Sequence, residues 1–496
     1  MDIAIGNQHR YKWYDCELQR VAYLKGFSEC LDNDISLYSP KTTKPLQRKN
    51  QDGVWLFTAK LNGVPIAIIW NDFRVSGGSF GKQNVDRILS FMSHLKQQGL
   101  PLIVGVNSMG VKISQGRTHF DKAFRLIPAF EEYKRIAKLY TISIGNCFGL
   151  GAILFGLGHY RFAIREQAKL NLTGPEVFSL FFGKKINFDE LTCIDNQNKR
   201  TGLVSEVTLT HQDAFIKIGQ LITFETGSLN LIGKETFQDN QSLGLQMGIA
   251  SLNSQREAYK LLSQFSDGYL RLFRTFDDKL MVFVARIGNK KLGVLINPPG
   301  NTDNMIGERT LELYEQALIF FQSLELPILS ILDTPGADPR VQANNYRILE
   351  KIIDVARLIY SYPYPKMGIG HGRCFGGACV LAIPKIFGGS SSYVLEDTET
   401  GIMHPDIITQ LLSGSNRLLE EWEQNRAKQT PDMQDLIDEG CVDSIIPSKE
   451  IRAVVENGLF QLDQTEKLDE TTNVVHKYQP KIFHPQLHEK QGSHSS

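Results

Sequence analysis

The chain is written twice, and no other feature constrains its fold as much. Gly99-Leu100-Pro101-Leu102-Ile103 reappears as Glu325-Leu326-Pro327-Ile328-Leu329, and Pro327 follows Pro101 by 226 residues. Asn107-Ser108-Met109-Gly110 meets Asp333-Thr334-Pro335-Gly336 at the same offset of 226. Cys147-Phe148-Gly149 recurs as Cys374-Phe375-Gly376 at 227, and Gly151-Ala152 as Gly377-Ala378 at 226, so one residue near Leu150 reads as extra in the first copy. Solenoid repeats have periods of about 20–50 residues. A period of 226 instead describes two domains of one fold in tandem.

Each copy has the same coarse order. An apolar strand (64–70; 292–296) is followed by an amphipathic helix (83–98; 307–323) and a second strand (102–106; 328–332). A second helix (124–138; 345–362) and a third strand (140–144; 366–369) then enter a Gly-rich turn that opens another helix. Strands alternating with helices make an α/β fold, with a largely parallel sheet under helical cover. The expected layout is an N-terminal extension over 1–50, which looks partly helical, domains over 51–235 and 236–475, and a flexible tail over 476–496.

Composition narrows the function. Hydrophobic residues make up 42% and charged residues 22%, which is ordinary for a globular protein. Lys+Arg and Asp+Glu both number 54, so no general basic surface for nucleic acid is expected. Ile142 to Gly158 is the most membrane-like stretch, but it contains Asn146 and five glycines and is short for a span. No signal peptide is evident at Met1-Asp2-Ile3-Ala4-Ile5. The seven cysteines form no C-x-x-C pair and no zinc spacing. The expectation is a cytoplasmic protein with no membrane, nucleic-acid or metal partner.

The turns carry the chemistry. A strand, a Gly turn and a helix present free backbone N–H groups that favour negative charge. Gly149-Leu150-Gly151-Ala152 and Phe375-Gly376-Gly377-Ala378 are two such turns, and tight strand–helix packing would account for either one alone. Each is preceded by a loop, Ser108-Met109-Gly110-Val111 or Thr334-Pro335-Gly336-Ala337. One N–H from the loop and one from the helix start make an oxyanion hole, and two copies make two. The dinucleotide fingerprint, the P-loop, the G-x-S-x-G elbow and H-E-x-x-H are all missing.

At these residues the chain resembles the carboxyltransferase branch of the crotonase-like superfamily, over about 50–460. Asn71-Asp72-Phe73-Arg74-Val75-Ser76-Gly77-Gly78-Ser79 is similar to the family's N-D-F-T-x-x-G-G-S, and Asn107 to Gly116 is a diverged D-S-G-G-A-R-L-Q-E-G. Asp333-Thr334-Pro335-Gly336 and Arg373-Cys374-Phe375-Gly376-Gly377-Ala378 resemble D-x-P-G and K-A-Y-G-G-A-Y. Two subfamilies fit. Cys147-Phe148-Gly149 and Leu170-Asn171-Leu172-Thr173-Gly174-Pro175-Glu176-Val177 resemble the β subunit of biotin-independent malonate decarboxylase. Leu395-Glu396-Asp397 and Met403-His404 resemble its γ subunit. The other subfamily is the carboxyltransferase β subunit of biotin-dependent acyl-CoA carboxylases. Leu150 interrupts the Gly-Gly pair of the first turn, and Met109 replaces a loop glycine of both subfamilies.

The resemblance implies two tandem crotonase-like domains and an active site between an N-domain and a C-domain, taken from different protomers of a homo-oligomer. In the leading reading, a malonyl thioester on CoA or on acyl carrier protein loses CO₂ without any cofactor. Val111 and Gly151 amides then hold the enolate, Ala337 and Gly377 amides hold the departing carboxylate, and His404 or water supplies the proton. In the alternative reading, a carboxyl group moves between an acyl-CoA and biotin on a partner carrier, and the second hole takes the biotin ureido oxygen. A non-catalytic acyl-thioester-binding or scaffold protein is the third reading. Gly110, Lys112, Gly149, Leu150, Ala152, Gly336, Gly376 and Ala378 would shape the substrate site. Lys112 reads equally well as a surface lysine, and His404 as a structural histidine.

Overall fold

The computed structural model describes residues 31–37, 52–183, 187–227, 249–274, 279–300, 303–342, 347–385, 388–389, 391–428 and 433–465. The expected flexible tail and most of the N-terminal extension lie outside these residues. The described part of the extension is a strand, β1 (Asp32–Leu37), and it pairs antiparallel with β2 (Val54–Leu61), so it belongs to the first sheet.

Two eight-stranded sheets repeat one topology. The first continues with β3 (Val64–Asn71), β4 (Leu102–Ser108), β5 (Leu139–Phe148), β6 (Tyr160–Ile164), β7 (Lys169–Asn171) and β8 (Glu206–Thr208). Its order is β1-β2-β3-β4-β5-β6-β8, with β7 against the far end of β5. The second holds β9 (Gly268–Leu272), β10 (Met281–Ile287), β11 (Lys290–Ile296), β12 (Ile328–Thr334), β13 (Lys366–Phe375), β14 (Ser391–Leu395), β15 (Glu399–Gly401) and β16 (Ser444–Ile446). Its order is β9-β10-β11-β12-β13-β14-β16, with β15 against β13. An antiparallel hairpin edge leads into parallel strands in both. β4 and β12 are buried along nearly their whole length, which explains why they read as unbroken apolar runs.

Two expected helices differ. The helix expected over 124–138 is shorter, Leu126–Lys134, and a separate helix, Gly116–Ala123, precedes it. Pro128 lies in the first turn of the later helix, where a missing N–H costs no bond, but its ring would meet the Phe124 carbonyl in a continuous helix, so the chain breaks at Phe124-Arg125. The second Gly-rich turn opens a 3₁₀ segment, Gly376–Ala382, where the first opens an α-helix, Leu150–Gly156. Ile383 at φ +50° and Pro384 end that segment early.

The two halves share one core. One face of the first sheet packs on the helices Lys82–Leu95, Leu126–Lys134 and Leu150–Gly156. Its other face, with the helix His211–Thr226, meets the helix Glu308–Ser323 and β9 of the second half in a continuous apolar cluster. At this junction Glu206 is 0% exposed. Arg274 Nε donates to Glu206 Oε1 at 2.8 Å, and Tyr160 Oη donates to Glu206 Oε2 at 2.7 Å. Burial pushes the Glu206 carboxyl up, but Arg274 and Lys217 hold it below the ordinary value. Tyr160 Oη also accepts the Phe273 N–H at 2.7 Å. Tyr160→Phe strands that buried N–H and should cost about 1–3 kcal/mol, read as a lower denaturant midpoint at unchanged slope.

A second junction carboxyl gives a pH signature. Tyr140 donates to Glu225, and Lys291 Nζ donates to the Glu225 carbonyl at 2.9 Å. Burial raises the Glu225 pKa from 4.5 to about 7, against the Tyr140 bond and the nearby Lys138 and Lys291 charges. A raised carboxyl pKa favours folding at low pH. The stability is fully present below the unfolded value and is lost as pH climbs through the folded one. Unfolding free energy should fall by up to about 3 kcal/mol across that window. Glu225→Gln should flatten the fall, as measured by urea unfolding at about pH 5 and about pH 8.

Candidate active site

Both loops fold alike, bond for bond. After β4 the chain turns at Gly110, at φ +99°, and the Gly110 N–H goes to Ser108 Oγ at 3.1 Å. Phe80 N–H donates to Gly110 O at 2.8 Å, and Lys112 N–H donates to Phe80 O at 2.9 Å. After β12, Gly336 at φ +123° gives its N–H to Thr334 Oγ1 at 3.2 Å. Ile306 N–H donates to Gly336 O at 2.9 Å, and Asp338 N–H donates to Ile306 O at 2.8 Å. Neighbouring amides on an extended segment point to opposite edges. Val111 and Ala337 therefore turn their N–H groups away from Phe80 and Ile306.

That free edge faces the turn. A Cβ on Gly110 would stand 3.3 Å from Phe148 O and 3.6 Å from Leu150 N, and one on Gly336 would stand 3.6 Å from Phe375 O. Gly149, at φ +54°, leads into the helix, and the first N–H to bond back is that of Ile153, to Gly149 O at 3.2 Å. The amides of Leu150, Gly151 and Ala152 are left without helical acceptors. Gly376, at φ +65°, occupies the equivalent corner.

The strand register corrects the alignment of the copies. Ser108 pairs with Cys147 and Thr334 with Cys374. Asn146 N–H donates to Asn107 Oδ1 at 3.0 Å, and Arg373 N–H donates to Asp333 Oδ1 at 3.3 Å. The offset is thus 226 between β4 and β12 (Asp333 − Asn107) and 227 between β5 and β13 (Arg373 − Asn146). The odd residue lies between those strands, in the second copy, and not near Leu150. Continued through the turn, 227 puts Leu150 opposite Gly377, and Gly151 opposite Ala378. The interrupting Leu150 side chain is 2% exposed and packs in the first half's core, so it leaves its backbone at the surface of the site. Gly151 sits behind it: a Cβ there would meet Ser108 Cβ at 3.2 Å.

The loop and turn of the first copy border one cavity, and the turn of the second copy borders another. The first, about 780 Å³, is lined by Met109, Gly110, Val111 and Lys112 of the loop, Gly149, Leu150 and Ile153 of the turn and helix, and Phe120 and Phe124. Met109 stays because it packs on Gly77, and its N–H donates to Gly77 O at 3.0 Å. Lys112 Nζ stands at the wall, 3.4 Å from Ser76 Oγ. The second, about 600 Å³, is lined by Gly376, Gly377, Cys374, Cys379, Tyr393 and Val394, among others. Burial pushes the Cys379 thiol up to about 11, so this wall is neutral. Ala152 packs on the core and Ala378 is buried, both away from the cavities. Gly336 and Ala337 form the loop behind the second turn.

His404 joins the second turn by its ring edge, 5.6 Å from the Phe375 ring centroid. Its Nδ1 accepts the Asp406 N–H at 3.4 Å and caps the helix Pro405–Leu412. Several positioning residues were missed in the sequence. Ser108 and Thr334 clamp the glycine loops, Phe80 and Ile306 brace them, and Arg373 Nε donates to Asp333 Oδ1 at 3.0 Å. The signal for the first four was the 226 offset itself, which pairs hydroxyl with hydroxyl and apolar with apolar. Among the described residues no group of three His, Cys, Asp or Glu could hold a metal ion. No helix among them is long and apolar enough to cross a membrane.

Comparisons with known proteins converge. The family model described as the carboxyl transferase domain matches residues 39–474. The carboxyltransferase subunit of propionyl-CoA carboxylase from Haloferax mediterranei is 22% identical over 371 residues, 73% of this chain and 71% of that one. The biotin-dependent long chain acyl-coenzyme A carboxylase β4 subunit of Mycobacterium tuberculosis is 23% identical over 372 residues, again 73% and 71%. Transcarboxylase 12S, solved as a hexamer with methylmalonyl-coenzyme A and methylmalonic acid bound, superposes with a TM-score of 0.75 at 17% identity. That match covers 90% of this chain and 92% of that one, so the fold is the two-domain crotonase-like α/β carboxyltransferase fold.

Proposed function

We propose, from the premise that the chain belongs to the carboxyl transferase domain family and is a carboxyltransferase-family enzyme, that it moves a carboxyl group between an acyl-CoA and biotin carried on a partner protein. The observation that carries this reading is the twin junction: two glycine loops that share three equivalent hydrogen bonds, each followed by a glycine turn that lines its own cavity. The two relatives named above are acyl-CoA carboxylase subunits, one of them called biotin-dependent, and they favour this reading over cofactor-free decarboxylation of a malonyl thioester on CoA or acyl carrier protein.

In the direction that is simplest to assay, the bond between the α-carbon and the carboxylate of a malonyl-type thioester breaks. The electron pair stays on the α-carbon and spreads onto the thioester oxygen. The Val111 amide, with that of Leu150 or Gly151, holds this oxygen. Fixed amides need no reorganisation as charge develops, and one such donor is worth about 10²–10³ in rate. The second cavity suits a fused-ring urea: its wall is mostly apolar, and Gly377 has nothing within 4 Å of where a Cβ would stand. Bound there, biotin supplies the nitrogen that carries the carboxyl group. In this reading the Gly377 amide, on the cavity wall, and the Ala337 amide, on the loop behind the turn, hold a carbonyl oxygen beside it. His404 or water is the proton source if CO₂ is lost outright; in carboxyl transfer the α-carbon also takes a proton, and the N–H proton that the biotin nitrogen would give up balances it.

Transcarboxylase 12S assembles as a hexamer. By that likeness we take this chain as a homo-oligomer, with the first cavity of one protomer facing the second cavity of another. The domain limits 51–235 and 236–475 remain our working division.

Purified full-length protein incubated with methylmalonyl-CoA or malonyl-CoA and free biotin should yield propionyl-CoA or acetyl-CoA, followed by mass spectrometry. Omitting biotin should abolish conversion. Conversion without biotin would instead establish the decarboxylase, and a malonyl-carrier-protein arm would show its carrier. An untouched thioester in every arm would remove catalysis and leave a binding protein.

A further inference from the structure

The first cavity is larger and more apolar than a two- or three-carbon acyl group requires. Its volume of about 780 Å³ lies in the range of sites for drug-sized ligands. Beyond the Val111 amide the wall is built from Ile113, Phe120, Phe124, Ile153 and Leu172, with no acidic side chain on it. Phe120 and Phe124, one turn apart, stack with ring centroids 4.6 Å apart and form its floor. Ile113 is 90% exposed and Leu172 is 66% exposed at the mouth. Large apolar side chains gathered round one opening mark a surface that gains by being covered. Two cations also line the cavity: Lys112 Nζ lies 3.4 Å from Ser76 Oγ, and Arg117, 87% exposed, lies 3.4 Å from Asp121.

We infer that the first cavity selects acyl thioesters with an extended apolar chain, with Phe120, Phe124 and Ile153 as specificity-determining residues. This rests on the reading of the first half as the acyl-thioester side. The thioester carbonyl sits at the loop–turn amides, the chain runs between the two phenylalanines and Ile153, and Ile113 and Leu172 close over it. Lys112 and Arg117 face the anionic end of the ligand at the rim. A chain that extends along this wall removes both its own methylenes and the exposed side chains from water. Each added methylene should tighten binding by up to about fourfold until the cavity is full.

The test has two arms on the full-length protein. Isothermal titration with acyl-CoAs from propionyl through hexanoyl to dodecanoyl reads affinity against chain length. Carboxyl transfer to free biotin from the 2-carboxy derivatives of the same chains, methylmalonyl-, butylmalonyl- and decylmalonyl-CoA, with release of the corresponding acyl-CoA, reads kcat/KM. Affinity and kcat/KM should both rise with chain length. Ile153→Trp, which places an indole in the cavity, should lower the decylmalonyl-to-methylmalonyl ratio of kcat/KM by about tenfold or more. Phe124→Ala, which removes half of the floor, should lower the same ratio through KM with kcat held. Affinity that is flat from propionyl to dodecanoyl overturns the inference even if transfer is observed, and then the proposed function stands without it. Affinity that rises with chain length in a protein that transfers nothing supports the cavity assignment and sinks the transferase reading instead.

Discussion

Gly377→Pro should abolish most of the transfer activity, while Gly377→Ala, which intrudes on the cavity but keeps the amide, should lower it far less. The pair separates a missing donor from a changed side chain. Nothing lies within 4 Å of the position a Cβ would take at Gly377, so the alanine methyl enters open space and keeps its amide. Proline removes that amide. The residue stands at the start of the 3₁₀ segment Gly376–Ala382, where proline costs no helical bond. If the Gly377 amide holds the carbonyl oxygen in the second cavity, kcat/KM should fall by about 10²–10³. The measurement is the biotin-dependent conversion of methylmalonyl-CoA, with circular dichroism confirming that both variants fold. Equal rates for the two variants would remove Gly377 from the hole.

Gly368→Ala should be among the most damaging single methyl additions at the described residues. Gly368 lies in the middle of β13, and a Cβ there would fall on the Ala382 backbone carbonyl, with Ile383 O 3.1 Å away. Those carbonyls belong to the end of the segment that begins at Gly376, so the clash cannot be relieved by rotating a side chain. Either β13 leaves the sheet or the segment lifts from it. We expect a loss of about 4 kcal/mol or more, a large share of the ~5–15 kcal/mol that holds an ordinary domain. Thermal melts and soluble yield report it, and a midpoint near that of wild type would mean that the close approach is not real. Gly63→Ala is a useful contrast: its φ of +78° carries strain but nothing lies within 4 Å, so it should cost only about 1 kcal/mol.

The repeat made the architecture legible. Strands β3 to β5 and β11 to β13 are long apolar runs set at one spacing, and the two glycine turns sit where those runs end. The edge strand Asp32–Leu37 was not legible, because six residues with two aspartates and an asparagine carry no apolar alternation. The start of the helix Leu126–Lys134, two residues ahead of Pro128, was readable from the proline, but the separate helix Gly116–Ala123 was not expected. The hole residues came from matching glycines, and that led the alignment astray at Leu150. Identical letters were paired, while the geometry follows the left-handed corner at Gly149 and Gly376. The cavity wall was not readable at all, since Phe120, Phe124 and Ile153 meet only once two helices and a loop are packed.

Both loops are tied by main-chain amides and carbonyls, with one hydroxyl clamp in each and one side-chain oxygen, of Asn107 or Asp333, that accepts an N–H of the next strand. The other side chains on that frame differ between the copies: Met109 against Pro335, Lys112 against Asp338, Leu150 against Gly377. A site drawn in backbone can be re-clothed without being rebuilt. For an engineer, positions 109, 112, 335 and 338 are the dials: charge or bulk exchanged there should retune which ligand each half accepts, with the framework that positions its oxygen left in place.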